Sequence, residues 1–229
     1  MSQVLVKICG TTSRADARLA LEAGADFLGI VLDHAPSPRC VALADIPILL
    51  EGALENTSAA LVALSVNKTL QWHLRAREAL EPLAPHFISQ MHGDEEPGLV
   101  RELKGRGFTV WSAIGGHGEE ARQRALRMLE AGADAILMDA RVQDSGGIIY
   151  GGTGRRGDWN LAASLVQEGA RVVLAGGLSA ENVARAVECV RPWAVDCASG
   201  VEKRKGEKDE AKLRAFVQEA RAQGVSRAH

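Results

Sequence analysis

The chain lacks most features that would take it outside ordinary globular proteins. No apolar run approaches the roughly 20 residues needed to span a bilayer. The start, Met1-Ser2-Gln3-Val4, has no basic segment leading into a long apolar one, so no secretory signal is expected there. A basic excess is missing too: the net charge is -2 and the pI near 6.3, which gives no electrostatic reason to expect nucleic acid or an anionic membrane as partner. Cysteine is sparse and unpaired in sequence. Cys9, Cys40, Cys189 and Cys197 form no CxxC, which argues against a zinc cluster or a disulfide framework. Aromatic residues reach only 4%, yet hydrophobic residues reach 46% and the charges are mixed in sign, so disorder is excluded as well. These absences lead us to expect a soluble cytoplasmic protein in a single domain over residues 1–229, long enough to bury a substantial core.

Short apolar runs rich in Val, Ile and Leu alternate with longer amphipathic stretches from one end to the other. The runs are Val4–Cys9, Phe27–Leu32, Ala60–Val66, Phe87–Met91, Phe108–Ile114, Ala135–Asp139, Arg171–Ala175 and Ala194–Ala198. Between them lie helix-like segments such as Arg14–Ala23, Leu70–Leu80, Glu119–Glu130 and Glu181–Val190. Near-continuous apolar strands separated by helices imply a parallel sheet covered by helices. The pattern of eight units predicts an α/β fold, a single closed (β/α)₈ TIM barrel with an eight-stranded parallel core. A doubly wound open sheet is the competitor, but Gly10-Thr11-Thr12 after the first run has no GxGxxG. The hexapeptide Leu-Glu-Ala-Gly-Ala-Asp occurs at 21–26 and again at 129–134, four units apart. Its glycines, Gly24 and Gly132, are placed to end helices, and the repeat mildly favours an ancestral half-barrel duplication. The charged stretch Glu202–Glu210 reads as a solvated loop entering the last helix.

In barrels, catalytic groups sit at the C-terminal ends of strands and in the loops beyond. Cys9 ends the first run, and Lys7, two residues earlier, shares its face. An ammonium there would favour the thiolate, a competent base or nucleophile, against the plain alternative of a small buried thiol. Cys40, Cys189 and Cys197 have no such setting and read as structural. Asp139 closes the sixth run before a glycine-rich loop rather than a helix, which favours a general acid over a helix cap. His92 ends the fourth run. It is either a substrate contact or a loop histidine, with Asp94 capping the next helix. Arg39 in Ser37-Pro38-Arg39 could clamp a carboxylate with two hydrogen bonds, or lie on the surface. Ala175-Gly176-Gly177 and Ser199-Gly200 could turn backbone N–H groups onto a phosphate, although tight turns also explain glycines. Asp196, inward by alternation, could serve strand-end packing or the substrate.

The ordered set Lys7-Ile8-Cys9-Gly10, Ser37-Pro38-Arg39, His92-Gly93-Asp94-Glu95 and Asp139 resembles the phosphoribosylanthranilate isomerases of tryptophan biosynthesis. The resemblance continues through Gly151-Gly152-Thr153-Gly154, Asp158-Trp159, Leu174-Ala175-Gly176-Gly177-Leu178, Val195-Asp196, Ser199-Gly200-Val201-Glu202 and Gly206 with Lys208-Asp209. It implies an Amadori rearrangement of an aminoaldose to an aminoketose, with Asp139 as general acid and Cys9 as general base. Arg39 would hold the anthranilate carboxylate and the late glycine loops the phosphate. Lys7, His92, Gly154, Gly176, Gly177, Asp196, Ser199 and Gly200 complete the expected substrate contacts. Proton transfers suffice for such a reaction, so no metal or cofactor is expected. The expected partner is a phosphorylated small molecule, bound by a monomer or homodimer. Three places depart from the family pattern: Asp33-His34-Ala35-Pro36, Val110-Trp111-Ser112 and Arg155-Arg156-Gly157. They bear on the aromatic end of the substrate and on the loop after the sixth strand. A paralogue acting on another phosphorylated aminoaldose and a silent phosphate-ligand binder stay open beside this reading.

Overall fold

The computed structural model describes residues 3–54, 57–139, 142–144, 147–149 and 158–222. Its frame is eight parallel strands, β1 (Leu5–Ile8), β2 (Phe27–Leu32), β3 (Ala60–Ser65), β4 (Ile88–Met91), β5 (Thr109–Gly115), β6 (Ala135–Asp139), β7 (Val172–Leu174) and β8 (Ala194–Cys197). Each pairs with its sequence neighbour, and β8 returns to β1 in the register Leu5↔Ala194 to Ile8↔Cys197, which closes the barrel. The matching helices are α1 (Arg14–Glu22), α2 (Ile46–Leu50), α3 (Leu70–Leu80), α4 (Pro97–Lys104), α5 (Gly118–Glu130), α6 (Trp159–Gln167), α7 (Val183–Val190) and α8 (Glu210–Ala222). Every expected run coincides with a barrel strand to within a residue or two at its ends, β5 reaching one residue beyond its run to Gly115, and the TIM-barrel expectation holds. No described helix is long and apolar enough to cross a membrane.

The side-chain period of two divides each strand between two cores. Val6, Ile8, Leu28, Ile30, Leu61, Ile136 and Val195 face outward and pack beneath the helices. Phe27, Val62, Ile88, Trp111, Leu137 and Val173 face inward and fill the barrel. Trp111 stacks edge-on against Phe27 at 5.0 Å and against Trp193 at 5.6 Å, plugging the interior. Nearer the C-terminal ends, the inward layer thins to Cys9, Val31, Leu64 and Val66. Burial on both strand faces is why the strands read as unbroken apolar runs.

Helix ends follow local chemistry. Ser13 caps α1 by accepting from Asp16 N–H, and Thr69 caps α3 by accepting from Trp72 N–H. Gly24 and Gly132 take φ of +93° and +102°, the left-handed conformation that stops α1 and α5 before β2 and β6. One expectation about ends fails. Glu96, not Asp94, is the N-cap residue of α4, and Pro97 opens the helix. Asn67, at φ +51°, takes Asp94 N–H on Oδ1, while the Glu95 carboxylate accepts from Asn67 and Gly93 N–H. Glu95 thus knits the β3–α3 and β4–α4 loops together. Burial pushes its carboxyl above the usual range despite these backbone donors.

A second correction concerns Glu202–Glu210. The stretch is not a solvated loop: Glu202–Arg204 and Glu207–Lys208 form an antiparallel hairpin, and Glu202 and Lys208 are buried at 7% and 4% exposure. The physical reason is pairing, because two opposite charges can enter the interior together when each satisfies the other.

Candidate active site at the C-terminal mouth of the barrel

The strand ends surround an open pocket whose empty space, counted together with the solvent at its mouth, is about 680 Å³. Cys9, Arg39, His92, Asp139, Gly176, Gly177, Asp196 and Ser199 all line it. Residues from six strand ends and the loops beyond them, distant in sequence, therefore meet around one mouth. Val31, Leu64, Val66 and Ala198 supply apolar wall.

Alternation along β1 turns Lys7 and Cys9 inward together, as expected. Lys7 is fully buried, and its Nζ donates to Asp196 Oδ1 at 3.0 Å. Burial opposes the Lys7 charge, but Asp196 and Cys9 outweigh it and hold the ammonium above its ordinary value. The effect on Cys9 differs from the sequence expectation. Burial dominates there, and the neighbouring ammonium offsets it only in part, so the thiol is pushed up. The space for both side chains comes from Gly29 on β2. A Cβ at that position would stand 3.0 Å from Cys9 Cα, Cys9 Sγ and Lys7 Cε.

Asp139, at the end of β6, lies opposite. Its Oδ2 is 3.0 Å from His92 Nε2, and His92 Nδ1 is 2.9 Å from Gln90 Nε2. With the Gln90 amide nitrogen donating, the ring proton sits on His92 Nε2 and points at Asp139. Both His92 and Asp139 are buried at 9% and 7% exposure.

Arg39 reaches the pocket, but it is not a free clamp. Its Nε and Nη2 each donate to Glu202 at 2.7 Å, so the side edge of the guanidinium is occupied. The end edge, Nη1 and the second Nη2 proton, remains to bind two oxygens of another group. The hydrogen bonds to Glu202 strengthen the Arg39 charge further. Burial pushes Glu202 up, yet Arg39 and Lys208 together hold it below the usual carboxylate range. Sequence reading missed Glu202 and Lys208 as site residues. The signal available was their presence within the family motif, since local composition pointed the other way.

The late glycine loops carry no charge of their own. Gly176 and Gly177 adopt φ of +81° and +65°, and Asn182 fastens the turn by donating to Gly177 O and accepting from Ser179 N–H, both at 2.9 Å. Gly200 is required by close approach: a Cβ there would stand 2.0 Å from Leu178 O. Cys197 donates its thiol to that same Leu178 oxygen at 3.1 Å, and burial pushes the thiol up to about 12, which keeps it protonated. Gly154 lies outside the described residues, as do Gly151 to Thr153 and Arg155 to Gly157.

The departures divide. Asp33, at φ +48°, accepts from Leu43 N–H and Trp72 Nε1, while Lys68 Nζ donates to its carbonyl; His34 then lines the pocket. Burial, followed by the Lys68 charge, holds the His34 ring below its usual basicity. Trp111 is not among the described residues that line the pocket; it sits in the packed barrel interior against Phe27 and Trp193.

Comparison with known proteins agrees with this geometry. The family model described as N-(5′-phosphoribosyl)anthranilate (PRA) isomerase matches residues 6–219. The N-(5′-phosphoribosyl)anthranilate isomerase of Trichlorobacter lovleyi is 36% identical over 95% of this chain and 98% of its own. The solved phosphoribosyl anthranilate isomerase of Thermotoga maritima superposes with a TM-score of 0.81 at 32% identity, covering 95% of this chain and 98% of that one. Another solved phosphoribosyl anthranilate isomerase, in complex with reduced 1-(o-carboxyphenylamino)-1-deoxyribulose 5-phosphate, gives a TM-score of 0.75 at 30% identity, with 95% and 98% covered. The chain belongs to the N-(5′-phosphoribosyl)anthranilate isomerase family, and is a TIM-barrel isomerase of tryptophan biosynthesis.

Proposed function

We propose that this chain, folded as one barrel domain over residues 1–229, converts N-(5′-phosphoribosyl)anthranilate into 1-(2-carboxyphenylamino)-1-deoxyribulose 5-phosphate by an Amadori rearrangement. The observation that carries the reading is the meeting of Cys9, Asp139 and Arg39 around one pocket that Gly176, Gly177 and Ser199 also line. A solved relative holds a reduced form of this very product, which supports the choice of ligand.

In this reading Asp139 protonates the ribose ring oxygen, the C1–O bond breaks, and the nitrogen lone pair forms the N-protonated imine (the iminium). The N–H of His92 then stabilises the Asp139 carboxylate left behind. Cys9, as thiolate, removes the proton from C2 to give an enolamine. The enolamine gains a proton at C1 as its C2 hydroxyl becomes the ketone, so no net proton is consumed. Lys7 supports the Cys9 anion and is itself held by Asp196. The end edge of Arg39 takes the anthranilate carboxylate, and the Gly176-Gly177 and Ser199-Gly200 turns take the phosphate. Apolar Val31, Leu64 and Val66 flank the path of the aromatic ring.

Purified protein mixed with freshly generated N-(5′-phosphoribosyl)anthranilate should quench the substrate's fluorescence at an enzymatic rate, and its gene should rescue a tryptophan auxotroph blocked at this step. Correctly folded protein without turnover refutes the proposal.

A further inference from the structure

Arg39 is tied into a network that reaches the strand bearing Cys9. Its side edge is closed by two 2.7 Å bonds to Glu202. Glu202 Oε1 also accepts from Lys208 Nζ at 3.2 Å, and the same ammonium donates to Cys9 O at 2.6 Å and Ala198 O at 3.3 Å. Lys208 therefore joins the ends of β1 and β8 to the partner of the clamp. The Arg39 stem crosses Gly10, where an added Cβ would strike Arg39 Cδ at 2.3 Å. The hairpin that presents Glu202 and Lys208 is itself pinned to the β1–α1 segment. Thr12 Oγ1 donates to Gly206 O at 2.6 Å, and Asp16 Oδ1 accepts from Lys208 N–H at 3.1 Å.

Three charged groups that a solvent-facing loop would leave in water are instead nearly closed off, with side-chain exposures of 11% for Arg39, 4% for Glu202 and 0% for Lys208. A buried carboxylate against an arginine costs desolvation that stability alone does not require, because apolar residues fill such space at least as well. What the pair supplies is direction. A guanidinium held along one edge presents the other edge in one plane only.

We infer that Glu202 is a positioning residue for substrate recognition: it aims the end edge of Arg39 into the pocket, with Lys208 fixing Glu202 to the end of β1. The inference rests on the proposed reading of Arg39 as the carboxylate clamp. It makes the selectivity for an ortho-carboxylated aryl amine depend on a residue that does not touch the substrate. Glu202 acts through geometry, so its loss should weaken only ligands that carry the carboxylate.

The test uses full-length protein and two fluorescent ligands: reduced 1-(o-carboxyphenylamino)-1-deoxyribulose 5-phosphate, and its phenylamino analogue without the carboxylate. E202Q, nearly isosteric, should weaken the carboxylated ligand about 10-fold and the analogue less than about 2-fold, one misdirected charge-assisted hydrogen bond amounting to roughly 1.4 kcal/mol. In an R39A background, E202Q should change neither affinity. Equal weakening of both ligands, or an undiminished E202Q effect without Arg39, overturns the inference and assigns Glu202 a structural role. Wild-type protein that binds the two ligands equally refutes the reading of Arg39 as clamp, and the inference falls with it. Should E202Q fail to fold, Glu202→Asp, which keeps the charge but draws it back from Arg39, carries the same comparison with the same outcomes.

Discussion

Asp196→Asn probes the buried charges beneath the pocket. It leaves the shape of the side chain and removes only the anion that faces Lys7 at 3.0 Å. The two side chains are 0% and 9% exposed, so the bare ammonium gains little from water. Breaking a buried pair by removing one partner costs about 3–5 kcal/mol, and the amide oxygen of Asn still accepts one bond, which favours the lower end, about 3 kcal/mol. A ceiling exists because Lys7 can shed its proton instead. From a free-lysine pKa of about 10.4, that escape costs about 4.6 kcal/mol at pH 7 and about 1.9 kcal/mol at pH 9. The sign follows from linkage. In the variant, the folded pKa of Lys7 falls below the unfolded one, so the penalty is absent above the unfolded value and grows as pH falls. Urea unfolding of both proteins at the two pH values, read as the difference between them, cancels groups that the substitution does not touch. The expected destabilisation is about 3 kcal/mol at pH 7 and is smaller at pH 9, because only the variant's penalty is relieved as Lys7 sheds its proton. A difference below about 1 kcal/mol at pH 7, or one that persists undiminished at pH 9, would show that the pair is not the buried charge lock described here.

His73 is buried on α3, shares a 2.9 Å hydrogen bond between its Nδ1 and Ser89 Oγ, and has its basicity lowered by burial to about 4. Stability should therefore fall as pH drops from about 6.5 through 4, by up to about 3 kcal/mol, and His73→Gln should flatten that limb in acid unfolding curves. Gly29→Ala, whose methyl would meet Cys9 and Lys7 at 3.0 Å, should cost about 1–3 kcal/mol and lower kcat, checked by thermal unfolding and turnover together. Because burial pushes the Cys9 thiol up, the Cys9-dependent rate of iodoacetamide alkylation, taken as the difference from Cys9→Ala, should still be rising with pH at the ordinary thiol value of about 8.5; a plateau by pH 7 would contradict the buried-thiol picture. Arg39→Ala should raise KM by about 10-fold or more with a smaller change in kcat, since a clamp holds bound substrate and transition state alike.

The barrel was legible because its strands are buried on both faces, which leaves an apolar signature that helices of this length do not imitate. Alternation placed Lys7 with Cys9 on the inner face, and the strand ends flagged His92, Asp139 and Asp196. Sequence could not weigh the two influences on Cys9, since the ammonium two residues away is visible locally while desolvation depends on Gly29 and the whole inner wall. Glu202 stayed hidden for a related reason. Its partner Arg39 is 163 positions away, and the residues around it, Lys203 to Glu207, have the composition of a surface. Asp94 and Glu95 sit in one acidic run, and only the left-handed turn at Asn67 decides which of them is buried. Trp111, read as a substrate-side change, is a packing choice made with Phe27 and Trp193 from other units of the barrel.

The central claim is that Cys9 and Asp139 divide one proton-transfer reaction between them. Its most direct measurement is turnover of N-(5′-phosphoribosyl)anthranilate, followed by loss of fluorescence, in the wild type, Cys9→Ala and Asp139→Asn, each shown to be folded. The account predicts measurable wild-type turnover, with kcat lowered about 10²-fold or more in each variant while KM changes little. Near-normal turnover in Cys9→Ala would show that another group is the base and would contradict the account.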